Sequence, residues 1–286
     1  MKASKTFKWF SIGLISLWLV TFVLVPNLMV LISSFLVSDV HDLVKFQFTF
    51  DNYAQLIDPM YAKVVGYSIY LAAVTTLLCL LIGYPAAWFI AQFPPKVRGV
   101  LLFLVIVPFW TNSLIRTYAI KIILGTRGVM NWSLMELGII DTPIRLMYTQ
   151  SAVLIGMVYI LLPFMILPLF SSIEKLPTSY LEAARDLGAG KLRTFRTIVL
   201  PLTLPGMIAG SLMVFLPAMG MFYIADLLEG AKNPLIGNLI KDQILVAQNW
   251  PFGGALSMAL LVMMAMMLFL YHRVSQMLRR KEEFDV

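Results

Sequence analysis

Residues 177–205, PTSYLEAARDLGAGKLRTFRTIVLPLTLP, form the only long polar segment that is both dense in charge and strongly patterned. Ser179 is followed three residues later by Glu182, the spacing of a capping box, which predicts that a helix begins there. Gly188 predicts a left-handed stop, so the helix should cover residues 179–187. A helix this short is not stable alone in water, where roughly a dozen residues are needed. We therefore expect it to dock on another element or another protein.

The same segment carries the spacing E-A-A-x3-G-x9-I-x-L-P between Glu182 and Pro201. This spacing resembles the cytoplasmic loop of ABC-importer permeases, which fits a cleft on an ATPase subunit. The resemblance implies that residues 174–197 form a coupling loop. The residues that it places at the ATPase contact are Glu182, Ala183, Ala184, Arg185, Asp186 and Gly188. The alternative is an amphipathic helix at the membrane interface without a protein partner.

The composition indicates a membrane protein with little soluble mass. Hydrophobic residues make up 60% of the 286 residues and charged residues only 13%, which is more apolar surface than a soluble core of this size needs. The net charge of +7 is spread over short loops between apolar runs. Because these loops form no continuous basic face, nucleic-acid binding is not predicted.

Six apolar runs divide the chain, and each is close to the roughly 20 residues that cross about 30 Å of hydrocarbon. They are residues 9–36, 65–91, 100–124, 152–170, 198–224 and 255–271. The chain is therefore predicted to be an all-α polytopic membrane protein with six transmembrane helices in one domain, residues 1–286. The first run is too long for the core of a signal peptide, which predicts that it is retained as a span.

Lysine and arginine predict the orientation, because they favour the cytoplasmic side of a membrane. Fourteen of the 22 lie at the two termini and in the loops after the second and fourth runs, whereas six lie in the other three loops. Both termini and the coupling loop are thus predicted to be cytoplasmic.

The sequence contains no motif for catalysis or cofactor binding. The segment GAGK at residues 188–191 departs from a phosphate-binding loop, because Arg185 stands at its first glycine and Leu192 replaces its serine or threonine. Cys79 is the only cysteine and the two histidines are far apart, so no metal site is predicted. The chain is not predicted to be an enzyme, and any ATP hydrolysis must occur in another subunit.

The third apolar run holds a first group of candidate solute contacts, beginning at Trp110 and Asn112. Arg116 adds a charge at membrane depth, where ionisable groups are costly and usually face a cavity or a partner. We expect Arg116 to pair with a carboxylate of this chain or of a partner. On a continuous helix four residues of the run share one stripe: Trp110, Ser113, Thr117 and Lys121. The alternative is an aromatic and polar belt at the outer membrane interface.

Tyr223, Asp226 and Glu229 form a second candidate group at the end of the fifth run. They recur every third residue and so share a helical face. A carboxylate beside an aromatic ring suits an ammonium group, through Coulomb attraction and a cation–π contact of about 0.5–2 kcal/mol. The alternative is a solvated loop that begins outside the membrane.

Longer segments around these residues carry a more specific resemblance. They are PFWT at 108–111, IRTY at 115–118, IADL at 224–227, GAK at 230–232 and LIGN at 235–238. Over nearly the whole chain they resemble the permeases of bacterial spermidine/putrescine importers, most of all the first of the two permeases. The resemblance implies a type I ABC importer (MetI-like) fold and a solute path with Trp110, Tyr223 and Asp226 on it. At Glu229 the chain departs from the glycine associated with that position.

The resemblance also implies the partners and the mechanism. The partners are a second homologous permease, a dimer of ATPase subunits that binds ATP and Mg, and an extracytoplasmic polyamine-binding protein, assembled in the lipid of the bacterial cytoplasmic membrane. Transport would proceed by alternating access. Two alternatives stay open: the same kind of permease for another small solute, such as thiamine, an oxyanion or iron, and an ATP-independent carrier or membrane scaffold.

Overall fold

The computed structural model describes residues 5–39, 43–230 and 233–284. Residues 231–232 of the GAK segment and the extreme termini therefore lie outside the described residues. The α-helices are α1 (Lys5–Leu19), α2 (Val25–Ser33), α3 (Asp51–Gln55), α4 (Pro59–Ala91), α5 (Pro95–Ile106), α6 (Ser113–Leu124), α7 (Val129–Glu136), α8 (Gln150–Glu174), α9 (Thr178–Asp186), α10 (Lys191–Thr194), α11 (Leu200–Gly220), α12 (Phe222–Leu228), α13 (Ile236–Leu245) and α14 (Trp250–Phe284). Two short strands, β1 (Leu36–Asp39) and β2 (Leu43–Phe48), precede α3, and three short stretches of 3-10 or π-helix lie between α-helices: Val20–Leu24, Val107–Trp110 and Phe195–Val199.

Five helical segments of the described chain are long and apolar enough to cross a membrane, and a bent pair of segments makes a sixth. The five are Trp9–Ser33, Pro59–Ala91, Gln150–Glu174, Lys191–Gly220 and Trp250–Tyr271. The predicted helical membrane fold with six spans is thus confirmed when the bent pair is taken as one span. The first span ends at Ser33 rather than at residue 36, because Leu36 begins strand β1.

The third span, predicted as one helix over residues 100–124, is broken. Pro95–Trp110 and Ser113–Glu136 meet at an angle of 95°. Pro108 cannot donate a backbone hydrogen bond, and the chain then passes through extended Thr111 (φ −94°, ψ 145°). The side chain of Asn112 caps the new helix by accepting a hydrogen bond from the Leu114 amide at 2.8 Å. The prediction that Trp110 shares a helical stripe with Lys121 is therefore wrong.

The fifth span, Lys191–Gly220, both begins and ends earlier in the chain than the predicted range of residues 198–224. Helix α11 ends at Gly220, and Met221 (φ −78°, ψ 60°) separates it from α12. The residues of the second candidate group therefore belong to a short helix of their own rather than to the end of the span.

By its contacts the chain forms two compact units, Met1–Lys63 with Leu239–Ala265, and Val64–Asn238 with Met266–Val286. In the first unit, β1 and β2 pair as an antiparallel hairpin that the sequence analysis did not predict. The amide of the buried Asn52 side chain donates to the carbonyls of Ser34 at 3.0 Å and Leu36 at 2.9 Å. An aromatic cluster covers the hairpin base: Phe35, Phe48, Phe50 and Tyr53.

In the second unit, α8 and α11 pack together closely. A Cβ on Gly206 would overlap the Ser172 side chain and lie 2.7 Å from the Pro168 carbonyl oxygen. A Cβ on Gly210 would lie 2.8 Å from the Met165 sulfur. The two glycines form a G-x-x-x-G pair whose missing side chains let the helix backbones approach. Because α8 and α11 flank the segment with α9, this packing positions the predicted coupling loop.

Candidate functional site

Helix α9 lies within residues 174–197, the segment predicted to be the coupling loop, but its start differs from the predicted one. Pro177 is the N-cap, with φ −65° and ψ 126°, and no side chain caps the helix. The predicted capping box of Ser179 and Glu182 is therefore wrong. Ser179 lies inside the first turn, because the locked φ of the proline ring already suits the residue that precedes a helix. Both Ser179 and Glu182 are exposed instead.

The end of α9 is the predicted left-handed turn. Gly188 has φ +73°, a conformation that glycine adopts without a Cβ penalty. Its amide donates to the Arg185 carbonyl at 2.9 Å, and the Ala189 amide donates to the Ala184 carbonyl at 2.9 Å. These two bonds define a Schellman motif, which satisfies carbonyls that the helix end would leave free. The motif makes α9 a short helix with a fixed end.

Most of the predicted coupling residues face outward from α9. The exposed ones are Glu182, Ala183, Arg185, Asp186 and Gly188. Ala184 is buried and so packs the helix onto the rest of its unit. Leu187 is 87% exposed, which is unusual for a large apolar side chain at a charged surface. One face of α9 therefore packs on the rest of its unit, and the other face is exposed.

Beside the free face lies an apolar groove of about 420 Å³ between α9 and the start of the following span. Its lining includes Tyr180, Ala183, Leu187, Ile198, Pro201 and Leu202. An exposed helix next to an apolar groove provides both a projection and a recess for another protein surface.

The helices on either side of the coupling loop are tied to earlier helices of the same unit. Arg98, on α5, pairs with Glu174 at the end of α8, with 2.7 Å between Nη1 and Oε1. Its Nη2 also donates to the Ala91 carbonyl, at the end of α4, at 2.8 Å. On the other side, the hydroxyls of Tyr84 and Thr203 are 2.9 Å apart, linking α4 to α11. A displacement of α9 would therefore reach α4, α5, α8 and α11.

The second candidate group lies on α12 and at its C-cap, Glu229, which is a buried carboxylate. Glu229 is 2% exposed, which excludes the alternative of a solvated side chain at this position. Its Oε1 accepts a hydrogen bond from the Asn233 amide at 2.6 Å, and its Oε2 accepts one from the Tyr67 hydroxyl at 3.5 Å. Both donors are neutral, so they orient the carboxylate without cancelling its charge.

Asp226 is held by a different set of contacts. The Asn238 amide nitrogen donates to Asp226 Oδ1, while Asn238 Oδ1 accepts from the Leu235 amide at 2.9 Å. The next amide, of Ile236, donates to the Ser68 hydroxyl at 2.9 Å. Asp226 is thus fixed through residues 235–238 to Ser68 of α4, and Tyr223 lies half-buried one turn away on α12.

Trp110 and Asn112 lie at the break in the third span rather than on a continuous face. Trp110 is 74% exposed and contacts Phe103 edge to face, with 5.6 Å between ring centroids. The oxygen of Asn112 caps α6. Helix α6, which begins at the break, packs against α12. The break therefore lies close in the fold to the helix that bears Asp226. The placement of both residues on a solute path stays a prediction.

Sequence reasoning missed Tyr67, Asn233 and Asn238. Tyr67 occurs in an apolar run without any local pattern, and it meets Glu229 across 162 residues of sequence. Asn238 does end the LIGN segment, but the sequence does not indicate that its side chain reaches Asp226. These partners are visible only after the chain has folded.

Comparison with known proteins defines the class of this chain. The family model described as "Binding-protein-dependent transport system inner membrane component" matches residues 79–283. A chain from a crystal structure of a bacterial alginate ABC transporter, in complex with a periplasmic protein bound to alginate pentasaccharide, superimposes with a TM-score of 0.76 and 15% identity. It covers 94% of each chain. That likeness shows the fold alone.

Two curated relatives are similar over almost their whole length. The spermidine/putrescine transport system permease protein PotB of Escherichia coli strain K12 is 59% identical over 268 residues, 94% of this chain and 98% of the relative. The protein of the same name from Haemophilus influenzae is 52% identical over 279 residues, 98% of each chain. The chain therefore belongs to the binding-protein-dependent transport system inner membrane components, a family of transport permeases rather than enzymes.

Proposed function

We propose that this chain is a permease subunit of an ATP-driven importer that moves spermidine and putrescine across the bacterial inner membrane. Its similarity to spermidine/putrescine permeases extends over nearly its full length. The structural observation that carries the proposal is the buried carboxylate of Glu229, whose partners among the described residues are neutral. A buried charge without a counterion favours binding of an ion of opposite sign.

The complete importer requires other proteins. We propose a second homologous permease that forms a heterodimer with this chain, a dimer of ATPase subunits, and an extracytoplasmic polyamine-binding protein. ATP and Mg would bind to the ATPase subunits, and this chain would hold no cofactor. The excess of Lys and Arg supports cytoplasmic termini and a cytoplasmic coupling loop, so α9 would meet the ATPase and α12 would lie at the outer side.

The coupling surface suits transmission of a rigid displacement. The Schellman motif fixes one end of α9, and the close packing of α8 on α11 fixes the helices that flank it. When ATP closes the ATPase dimer, a displacement of α9 would therefore move these helices as a body rather than unfold a loop. Through Arg98 and Tyr84 it would also reach α5 and α4.

The solute end suits an extended polyamine. Asp226 and Glu229 supply negative charge on one short helix, and Tyr223 supplies an aromatic surface for the alkyl chain and its ammonium groups. Trp110 and Asn112 would add contacts from the break in the third span. We expect weak binding here, because a site that holds a solute tightly releases it slowly.

Asp226→Asn tests the proposal, because the amide oxygen of asparagine can still accept the hydrogen bond from Asn238. Uptake of radiolabelled spermidine and putrescine should fall by about tenfold, roughly the value of one charged hydrogen bond. Stimulation of ATPase activity by the loaded binding protein should fall much less. Asp141→Asn, at an exposed position, is the matched control and should retain normal uptake. Equal loss of uptake and of ATPase stimulation in Asp226→Asn would assign the residue a structural role.

A further inference from the structure

Arg116, on the second turn of α6, is a buried charge without a counterion in the described part of the chain. It is 8% exposed, and its Nε and Nη1 are enclosed without a hydrogen-bond partner among the described residues. The ring of Phe109 lies 5.5 Å from the guanidinium carbon. The expected pairing of Arg116 with a carboxylate is therefore not made by the described residues of this chain.

This arrangement is unfavourable for a single chain in a membrane. A guanidinium removed from water loses its hydration, and a single aromatic ring replaces only a part of it. The positive end of the α6 dipole is also nearby, which disfavours a cation. Ionisable residues at membrane depth usually pair with one another or with backbone carbonyls. The site is thus incomplete without a group from outside the described chain.

The surface around Arg116 is that of a protein contact. Helix α6 presents an exposed stripe at i, i+1, i+4 and i+8 spacing that begins four residues after exposed Trp110. The stripe consists of Leu114, Ile115, Tyr118 and Ile122. Protein interfaces are enriched in tryptophan, tyrosine and arginine. Acyl chains could cover the stripe, but they provide no acceptor for a guanidinium.

We propose that this face of α6 is the contact surface for the second permease subunit, and that a carboxylate of that subunit is the counterion of Arg116. The proposal rests on the proposed function, which supplies the second permease. Because Nε and Nη1 are the enclosed nitrogens, Nη2 is the atom that an incoming carboxylate meets first. Pairing would also reduce the repulsion between Arg116 and a cationic solute, since α6 packs against the helix that bears Asp226.

The variant Arg116→Met tests whether Arg116 pairs with a carboxylate of the second permease. If the arginine is paired, methionine leaves the partner carboxylate buried and alone, and at least about tenfold less second permease should co-purify in mild detergent. Removing an unpaired buried charge would instead leave that amount unchanged or raise it, which would overturn the proposal. The amount of this chain in the membrane, measured in parallel, normalises the result. Arg127→Met, at an exposed position, is the control for loss of charge.

Arg116→Glu allows a second measurement that does not depend on stability. Selection for restored polyamine uptake should yield second-site changes of an acidic residue to lysine or arginine in the second permease. Restoring changes confined to this chain would overturn the pairing. Absence of any second permease from the complex of the unmodified chain would overturn the proposed function itself, and this inference with it.

Discussion

The two candidate sites of the second unit differ in how their residues are held in place. At the coupling end, α9 is ordered by hydrogen bonds between near neighbours in sequence and leaves most of its side chains exposed. At the carboxylate end, Glu229 is buried and meets Tyr67 across 162 residues of sequence. Along α4, residues 67 and 91 lie about 36 Å apart at ~1.5 Å per residue, so the ends are separated by roughly the thickness of a membrane.

This contrast agrees with what each end is proposed to bind. A surface that binds another protein needs exposed side chains on a rigid element, because the partner supplies the complementary surface. A site for a small cation needs its charges oriented before the solute arrives, because a flexible solute cannot organise them. The first requirement is met by local structure and the second only by long-range contacts.

Gly188→Trp should have the largest effect and acts at the coupling end. Nothing lies within 4 Å of a Cβ placed on Gly188, so the indole would project away from this chain and into the space of a docked partner. Uptake should fall about a hundredfold, as expected when ~2.7 kcal/mol of docking free energy is lost. The measurements are uptake and the amount of ATPase subunit that co-purifies.

Gly188→Asn is the matched control, because asparagine tolerates the left-handed conformation and is small. It should retain most of the uptake. Normal uptake in Gly188→Trp would contradict the docking of α9, whereas equal loss in both variants would assign the effect to backbone strain.

Glu229→Gln should have an intermediate effect and acts at the carboxylate end. Glutamine keeps an acceptor for the Tyr67 hydroxyl but removes the buried charge. Polyamine uptake should fall by about tenfold, while the melting temperature of the complex should stay constant or rise, because a buried charge is costly to the fold. Glu136→Gln, at an exposed position of α7, should change neither. A lower melting temperature in Glu229→Gln would indicate a structural role.

Gly206→Ala should have the smallest effect and tests the connection between the two ends. The added methyl group would overlap Ser172 and approach the Pro168 carbonyl, and overpacking of this kind costs about 1–3 kcal/mol. Thermal unfolding should occur several degrees lower. Gly99→Ala, in α5 with nothing within 4 Å of its Cβ, should be neutral or slightly stabilising, since alanine favours a helix. Equal melting temperatures in the two variants would refute tight packing of α8 on α11.

The sequence predicted most accurately what depends on near neighbours. Six apolar runs gave the six spans because crossing hydrocarbon requires length and apolarity, both of which a single segment carries. Gly188 gave the end of α9 because a positive φ favours glycine. The capping box failed for a local reason as well: Pro177 occupies the N-cap one residue before the helix, and this placed Ser179 inside the first turn.

Tertiary structure decided the features in which distant segments meet. Three features have no counterpart in local spacing: the break of the third span near Asn112, the burial of Glu229 against Tyr67, and the lack of a hydrogen-bond partner for Arg116 Nε and Nη1 among the described residues. The sequence alone therefore determined that this chain crosses the membrane and carries the short helix α9, since hydropathy and turn chemistry act over a few residues. Only the folded chain decided which charges are satisfied within it, because that depends on which side chains packing brings within about 3 Å of one another.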